Sequence, residues 1–162
     1  NKIVGYIQRT RVLPSTIAIL DGSHGKNKKS GFVRQSYYRN ENGYWVEPTI
    51  IVTRDPRSPT MREEIFGPVL SAMRFKDFDD AVQKANQTYY GLAAGIWTRD
   101  IKKAHTLAKK IKAGTVWINT YNMYDAAMPY GGYKMSGFTR ECGMEAIYEF
   151  YTQVKSVWVD LN

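Results

Sequence analysis

Cysteine is nearly absent from this sequence: Cys142 stands alone among 162 residues, so no disulfide can form within the chain. A chain with no internal disulfide is expected in a reducing compartment, the cytosol or the mitochondrial matrix, rather than outside the cell. Histidine is scarce too. His24 and His105 lie far apart and neither has metal-ligand spacing to Cys142, which argues against a zinc site. No apolar run approaches the ~18 residues of a membrane-spanning helix. Residues 1–11 form an amphipathic stretch without the apolar block and small-residue cleavage site of a signal peptide. A chain that opens on Asn1 rather than Met is expected to be a processed product or a piece of a longer protein. Acidic residues are in deficit, 15 against 23 Lys and Arg, for a formal charge of +8. Clustered basic residues could serve nucleic acid, by neutralising phosphates. Here the excess is split between the stretch His24 to Arg39 and a helix carrying Lys102, Lys103, Lys109, Lys110 and Lys112. No nucleic-acid motif accompanies it, so a solvated face is the better reading.

What is present suits a globular core. Apolar residues make up 43% and aromatics 14%, enough for one domain. Ile3, Val4 and Ile7 mark one face of an opening helix that ends near Pro14, a residue that cannot continue it. Thr16 to Leu20 reads as a strand closed by the turn pair Asp21-Gly22. Residues 22–43 are polar, basic and glycine-punctuated, the pattern of an exposed excursion. Tyr44 to Val52 returns to strand character, with Pro48 favouring an edge or a strand start.

Three strand–helix units follow. Val69 to Phe75 is a strand. Asp77 to Thr88 is a helix with Phe78, Ala81, Val82 and Ala85 on one inward face. Leu92 to Trp97 is a strand, and residues 100–112 are a helix with Ile101, Ala104, Ala108 and Ile111 inward and Gly114 as its terminator. Val116 to Ile118 is the next strand. Short apolar strands separated by helices predict an α/β fold, a three-layer parallel sheet with helices on both faces. Ligands of such sheets sit at the carboxyl ends of strands, which directs attention to the loops after Phe75, Thr98 and Asn119. Residues 120–138 are rich in Tyr, Met and Gly without periodicity, and a loop of that length is usually functional. A helix over Thr139 to Phe150 and a final strand, Gln153 to Leu161, complete the chain. That strand has an apolar side and no obvious partner, so another domain or subunit is expected to supply one.

The most informative stretch is Glu63-Glu64-Ile65-Phe66-Gly67-Pro68-Val69. Two carboxylates and an aromatic precede a buried strand, and Gly-Pro turns the backbone between them. A carboxylate there could accept hydrogen bonds from sugar hydroxyls, and an aromatic face could pack on a planar ring. On spacing alone, an N-terminal helix carboxylate and a core phenylalanine explain the pattern better.

The same stretch resembles the Glu-Glu-Ile-Phe-Gly-Pro-Val signature of the aldehyde dehydrogenase superfamily. It follows Gly43-Tyr44-Trp45-Val46-Glu47-Pro48-Thr49, similar to the strand that precedes that signature. Tyr90 to Thr98 (YGLAAGIWT), Gly114 to Asn119 (GTVWIN) and Pro129 to Gly137 (PYGGYKMSG) match further family segments in order. Arg140-Glu141 and Tyr151 to Lys155 fit its tail. The resemblance covers residues 43–155; residues 1–42 share only the Lys2 to Gln8 helix.

The resemblance implies residues 1–150 as the carboxyl-terminal portion of an aldehyde dehydrogenase catalytic domain and 151–162 as a protruding oligomerisation strand. It implies NAD or NADP as cofactor, bound only together with the missing amino-terminal half, an aldehyde as substrate, and a carboxylic acid as product. By position, Glu64 resembles the glutamate that binds the nicotinamide ribose, and Phe66 the aromatic beside the nicotinamide. Tyr124, Tyr130 and Asn119 fall where the family builds its aldehyde tunnel, while Gly131 and Gly132 fall where backbones pack closely. The family's nucleophile is a cysteine in a Gly-Gln-x-Cys segment, and its water-activating glutamate lies in a Glu-Leu-Gly-Gly segment. Neither string occurs here, so no catalytic residue is assigned in this chain, and Cys142, at a variable position of the tail, is not a substitute. The expected partners are a missing amino-terminal half or other subunits, and a homo-oligomer formed through the terminal strand. Asp55-Pro56-Arg57-Ser58-Pro59 resembles the pyrroline-5-carboxylate dehydrogenase branch, whereas the loop 119–137 resembles betaine-aldehyde and broad-specificity branches. Two other readings remain: a non-catalytic assembly subunit that kept the fold, and a basic nucleic-acid-associated protein built on it.

Overall fold

The computed structural model describes residues 2–11, 13–14, 16–21, 39–40, 43–44, 46 and 48–162. Residues 1–87 and 88–162 form two compact units.

The first unit opens with helix α1 (Lys2–Arg11), followed by strand β1 (Thr16–Asp21). The short strands β2 (Arg39–Asn40) and β3 (Gly43–Tyr44) pair antiparallel. Strand β4 (Thr49–Thr53), helix α2 (Pro59–Arg62), strand β5 (Val69–Ala72) and helix α3 (Phe78–Asn86) complete it. Strand β4 lies between β1 and β5, antiparallel to the first and parallel to the second. Its residues alternate: Thr49, Ile51 and Thr53 are buried and Ile50 is exposed. Helix α1 covers the buried face. Ile7 and Ile51, both fully buried, meet there with Ile3, Val46 and Val69 around them, and each isoleucine contributes about 1.5–3 kcal/mol. Thr10 is equally buried but satisfied, since its Oγ1 donates to the Tyr6 carbonyl at 2.8 Å.

The single strand expected over Tyr44 to Val52 is two pieces, β3 and β4. Pro48 has no N–H to give a ladder, and β4 begins directly after it. The excursion expected over residues 22–43 lies mostly outside the described residues. Helix α3 is capped by Asp77, whose carboxylate accepts from the Asp80 N–H at 2.9 Å. Asp80 in turn accepts from Lys84 Nζ at 2.8 Å and from the Lys76 N–H at 2.9 Å. These bonds, the Lys84 one first, hold its carboxyl below the ordinary 3.8. The inward stripe of α3 is shallower than its spacing suggests: Phe78, Ala81 and Val82 are half-buried and Ala85 is exposed. Periodicity sets which side faces inward; depth depends on what covers it.

In the second unit, β7 (Ala93–Ile96), α4 (Ile101–Lys110) and β8 (Thr115–Ile118) form a β–α–β unit whose strands pair in parallel. Before it, β6 (Tyr90–Gly91) pairs antiparallel with β9 (Tyr133–Lys134). Asp100 caps α4 through the Lys103 N–H at 3.0 Å. Of the expected stripe, Ala104 is fully buried, Ala108 and Ile111 are half-buried, and Ile101 is exposed.

Gly114 does not terminate α4. The cap is Ile111, in extended backbone, and Gly114 is not among the positive-φ residues. Glycine is needed there for a different reason: an added Cβ would lie 1.6 Å from the Gly131 carbonyl oxygen. The helix expected over Thr139 to Phe150 is also shorter, α5 (Gly143–Ala146) running into a π-helical turn at Ile147–Tyr151. Tyr130 and Glu141 form an antiparallel bridge with mutual N–H···O bonds of 2.6 Å, so the backbone up to Glu141 is committed to the loop. Residues 152–162 form no strand, and Val154, Trp158 and Leu161 are almost fully exposed. An extended segment becomes a strand only with a ladder partner, and none of the described residues provides one. Among the described residues, no helix is long and apolar enough to cross a membrane.

Candidate functional site

In the first unit, an open cleft of about 290 Å³ is lined by Thr60, Glu63, Glu64, Phe66, Leu70 and Ser71, among others. Its wall comes from the segment joining α2 to β5. Gly67, Pro68 and Val69 make a three-residue turn, with Val69 N–H donating to the Gly67 carbonyl at 2.7 Å. The Pro68 carbonyl accepts from the Thr49 N–H at 2.8 Å, which fixes the turn to β4. Below it, Ser71 Oγ donates to the Thr60 carbonyl at 2.7 Å.

The turn presents the two residues singled out from the sequence. Ile65 is buried at 8%, while its neighbour Phe66 is 82% exposed and sits at φ 51°. A bulky residue with positive φ is uncommon and costs on the order of 1–2 kcal/mol. The Glu64 side chain is exposed on the cleft, and among the described residues no hydrogen bond or ion pair engages its carboxylate. A core phenylalanine and a carboxylate at a helix N-terminus, the reading that spacing alone favoured, are not what the fold shows: Glu63 follows the carboxyl end of α2 and Phe66 is exposed. A free carboxylate and an open aromatic face share one concave surface. That donor set suits a ligand with vicinal hydroxyls beside a planar ring.

In the second unit, five aromatic rings form a continuous row. Trp97 stacks on Tyr121 at 6.2 Å between centroids, Tyr121 meets Trp117 at 4.8 Å, Trp117 meets Tyr124 at 5.5 Å, and Tyr124 meets Tyr130 at 5.1 Å. The parallel strand pair anchors the row. Trp117 on β8 is 7% exposed and its indole N–H donates to the Met123 carbonyl at 2.8 Å. Gly95 on β7 makes room, since a Cβ there would come within 2.8 Å of the Tyr121 ring. Tyr124 is 57% exposed and donates to Asn122 Oδ1 at 2.9 Å. A hydrogen bond with Tyr130, more than partial desolvation, raises its phenol above the ordinary 10.0.

Asn119 stands at the carboxyl end of β8 with φ 55°. Its Oδ1 accepts from the Thr98 N–H and its Nδ2 donates to the Thr98 carbonyl, both at 2.9 Å. The amide thus acts as one more rung between the ends of β7 and β8. Its polar atoms hold the loop rather than pointing free. Gly131 and Gly132 pack against backbone as expected: a Cβ on either would lie 2.3 Å from the Thr139 carbonyl oxygen or 2.4 Å from that of Ser136.

The profile of the aldehyde dehydrogenase family matches residues 23–157. This chain belongs to the aldehyde dehydrogenase family. It is 40% identical over all 162 of its residues to the betaine aldehyde dehydrogenase of Brucella anthropi, covering 31% of that protein. It is 50% identical over 120 residues, 74% of its length, to NAD(P)+ aldehyde dehydrogenase 2 of Saccharomyces cerevisiae, covering 24% of that protein. The NAD+ complex of an aldehyde dehydrogenase from Bacillus cereus superposes with a TM-score of 0.77 at 38% identity, over 99% of this chain and 30% of the other. The chain therefore spans about a quarter to a third of the length of these relatives. An α/β fold is common to this aldehyde dehydrogenase chain and its solved relatives.

Trp97, Trp117 and Tyr121 escaped the sequence reading as a group. The signal available was the position of Trp97 and Tyr121 just past the ends of parallel strands, where loops carry function. Cys142 is exposed at φ 63° ahead of α5. Among the described residues, no cluster of three or more His, Cys, Asp or Glu could hold a metal ion.

Proposed function

We propose that this chain is the carboxyl-terminal portion of the catalytic domain of an NAD(P)-dependent aldehyde dehydrogenase, which oxidises an aldehyde to a carboxylic acid. One observation carries the reading: Glu64 and Phe66, where the family presents its nicotinamide site, lie exposed on a single cleft of about 290 Å³. Glu64 would accept hydrogen bonds from the ribose hydroxyls and Phe66 would pack beside the nicotinamide, fixing its orientation. A bound NAD(P)+ would supply the hydride acceptor, and water would supply the second oxygen of the acid. Tyr124 and Tyr130, with the loop that Asn119 secures, would form one apolar wall of the aldehyde tunnel and exclude water. The nucleophilic cysteine would come from elsewhere in the enzyme, since Cys142 lies at the tail and carries none of the family's cysteine motif. In the whole enzyme the parallel strands would join a three-layer sheet covered on both sides. Residues 151–162 would pair with a second copy, which the exposure of Val154, Trp158 and Leu161 supports.

The test is aldehyde-dependent NADH formation. The 162-residue chain alone is expected to show none, and adding the amino-terminal part of the enzyme in trans is expected to restore it. Failure of restoration would favour the assembly-subunit reading. Glu64→Gln in the complete enzyme is expected to slow hydride transfer while leaving aldehyde KM nearly unchanged. Unchanged kcat would refute the role given to Glu64.

A further inference from the structure

We infer that helix α1 is the rigid backing of the Glu64 segment and that Tyr6 is a positioning residue for it. Three side chains on one face of the helix, at positions i, i+1 and i+4, reach three residues of the cleft wall. The Tyr6 hydroxyl donates to Glu63 Oε2. The Ile3 side chain occupies the space beside Gly67, where an added Cβ would lie 2.5 Å from Ile3 Cδ1. Lys2 Nζ approaches the Glu64 carbonyl oxygen at 3.4 Å. Tyr6 is itself held: its ring is 5% exposed and the Arg9 guanidinium lies 4.9 Å from its centroid.

The paired glutamates therefore have different duties. Glu63 has extended backbone, φ −109° and ψ 146°, and in extended chain successive side chains leave on opposite sides. The carboxylate of Glu63 is taken by the helix and that of Glu64 is left for a ligand. A carboxylate that must meet two hydroxyls at once binds well only if its backbone is fixed beforehand. The Tyr6–Glu63 bond, the Ile3–Gly67 contact and the Gly67–Pro68–Val69 turn fix it at both ends. The proposal rests on the reading of Glu64 as a ribose-binding residue, and its test separates the two.

The 162-residue chain, complemented with the amino-terminal part of the enzyme, is titrated with nicotinamide mononucleotide, and amide hydrogen exchange is followed at Ile65 to Gly67 with Ile51 to Thr53 as internal reference. Tyr6→Phe keeps the buried ring and removes only the hydroxyl. It and Glu63→Ala are each expected to weaken mononucleotide binding on the order of fivefold and to speed exchange at Ile65 to Gly67 alone. The double variant is expected to be no worse than either single one, and Glu63→Gln, which keeps an acceptor, to recover most of the loss. Unchanged exchange and affinity in Tyr6→Phe, or effects that multiply in the double variant, would overturn the proposal. If the complemented parent binds no mononucleotide, the reading of Glu64 fails while the exchange measurement still decides whether Tyr6 supports the segment.

Discussion

Gly114→Ala and Gly5→Ala add the same methyl group and are expected to act in opposite directions. At position 114 the new carbon would stand 1.6 Å from the Gly131 oxygen and 2.8 Å from its carbonyl carbon. To reach even the shortest tolerable contact the oxygen must retreat by about 1.4 Å. It has nowhere to go, because Gly131 and Gly132 are pressed against the Thr139 and Ser136 carbonyls. Overpacking against backbone costs about 1–3 kcal/mol. Displacing Gly114 also strains its N–H bond to the Gly91 carbonyl, 3.0 Å long, for about 1 kcal/mol more. At position 5, inside α1, nothing among the described residues lies within 4 Å of the added carbon, and alanine gains about 0.5–1 kcal/mol by restricting the unfolded chain. Urea unfolding followed by tryptophan fluorescence and far-ultraviolet dichroism measures both. A Gly114→Ala midpoint within about 0.5 kcal/mol of the parent would refute the claim that four backbone segments meet there without room for a side chain.

Tyr130→Phe removes the hydroxyl that raises the Tyr124 phenol, so Tyr124 is expected to ionise closer to 10.0, as followed by site-resolved NMR of its ring. The sign is fixed by linkage: a raised phenol contributes stability below its ordinary pKa and loses it as pH rises through the shifted one, so the parent should hold its loop in mild base and the variant less so. Asn119→Asp keeps the acceptor for the Thr98 N–H but places an oxygen opposite the Thr98 carbonyl. A loss of about 1 kcal/mol in urea and a change in Trp97 emission are expected, and Asn119→Gly, which keeps the positive φ but neither bond, should be no more stable.

The elements with strong local signals were legible. Helix α1 announced itself through Ile3 and Ile7, β4 through the Pro48 start, and α4 and β8 through their periods. Misreadings fell where long-range contacts decide. Gly114 looked like a helix terminator because glycine commonly plays that part, yet its constraint comes from Gly131, which no local pattern reveals. The helix expected from Thr139 begins only at Gly143 because Glu141 pairs with Tyr130. The four stripe positions of α4 and its cap ended at different depths, Ala104 buried, Ala108 and Ile111 half-buried and Ile101 exposed, because amphipathicity ranks faces and does not say what covers them. Around the cleft, the motif singled out Glu64 and Phe66, but the different contacts of Glu63 and Glu64 depend on Tyr6, 57 residues from Glu63 in sequence.

Phe66 shows why the cleft is better read as a binding surface than as an accident of packing. An exposed aromatic at φ 51° gains nothing from its own burial and costs on the order of 1–2 kcal/mol in backbone conformation. Its neighbours offset that cost. Ile65, at 8% exposure, contributes about 2 kcal/mol by entering the core, and Gly67 admits the Ile3 side chain where any other residue would clash. If Phe66 had only to avoid strain, a glycine or asparagine at that position would relieve it at once. What an aromatic ring adds is a flat apolar face turned toward the cleft rather than into the core. The turn fixes the backbone that carries the ring before anything binds, so only the exposed side chain, at about 0.5–1.5 kcal/mol, remains to be ordered.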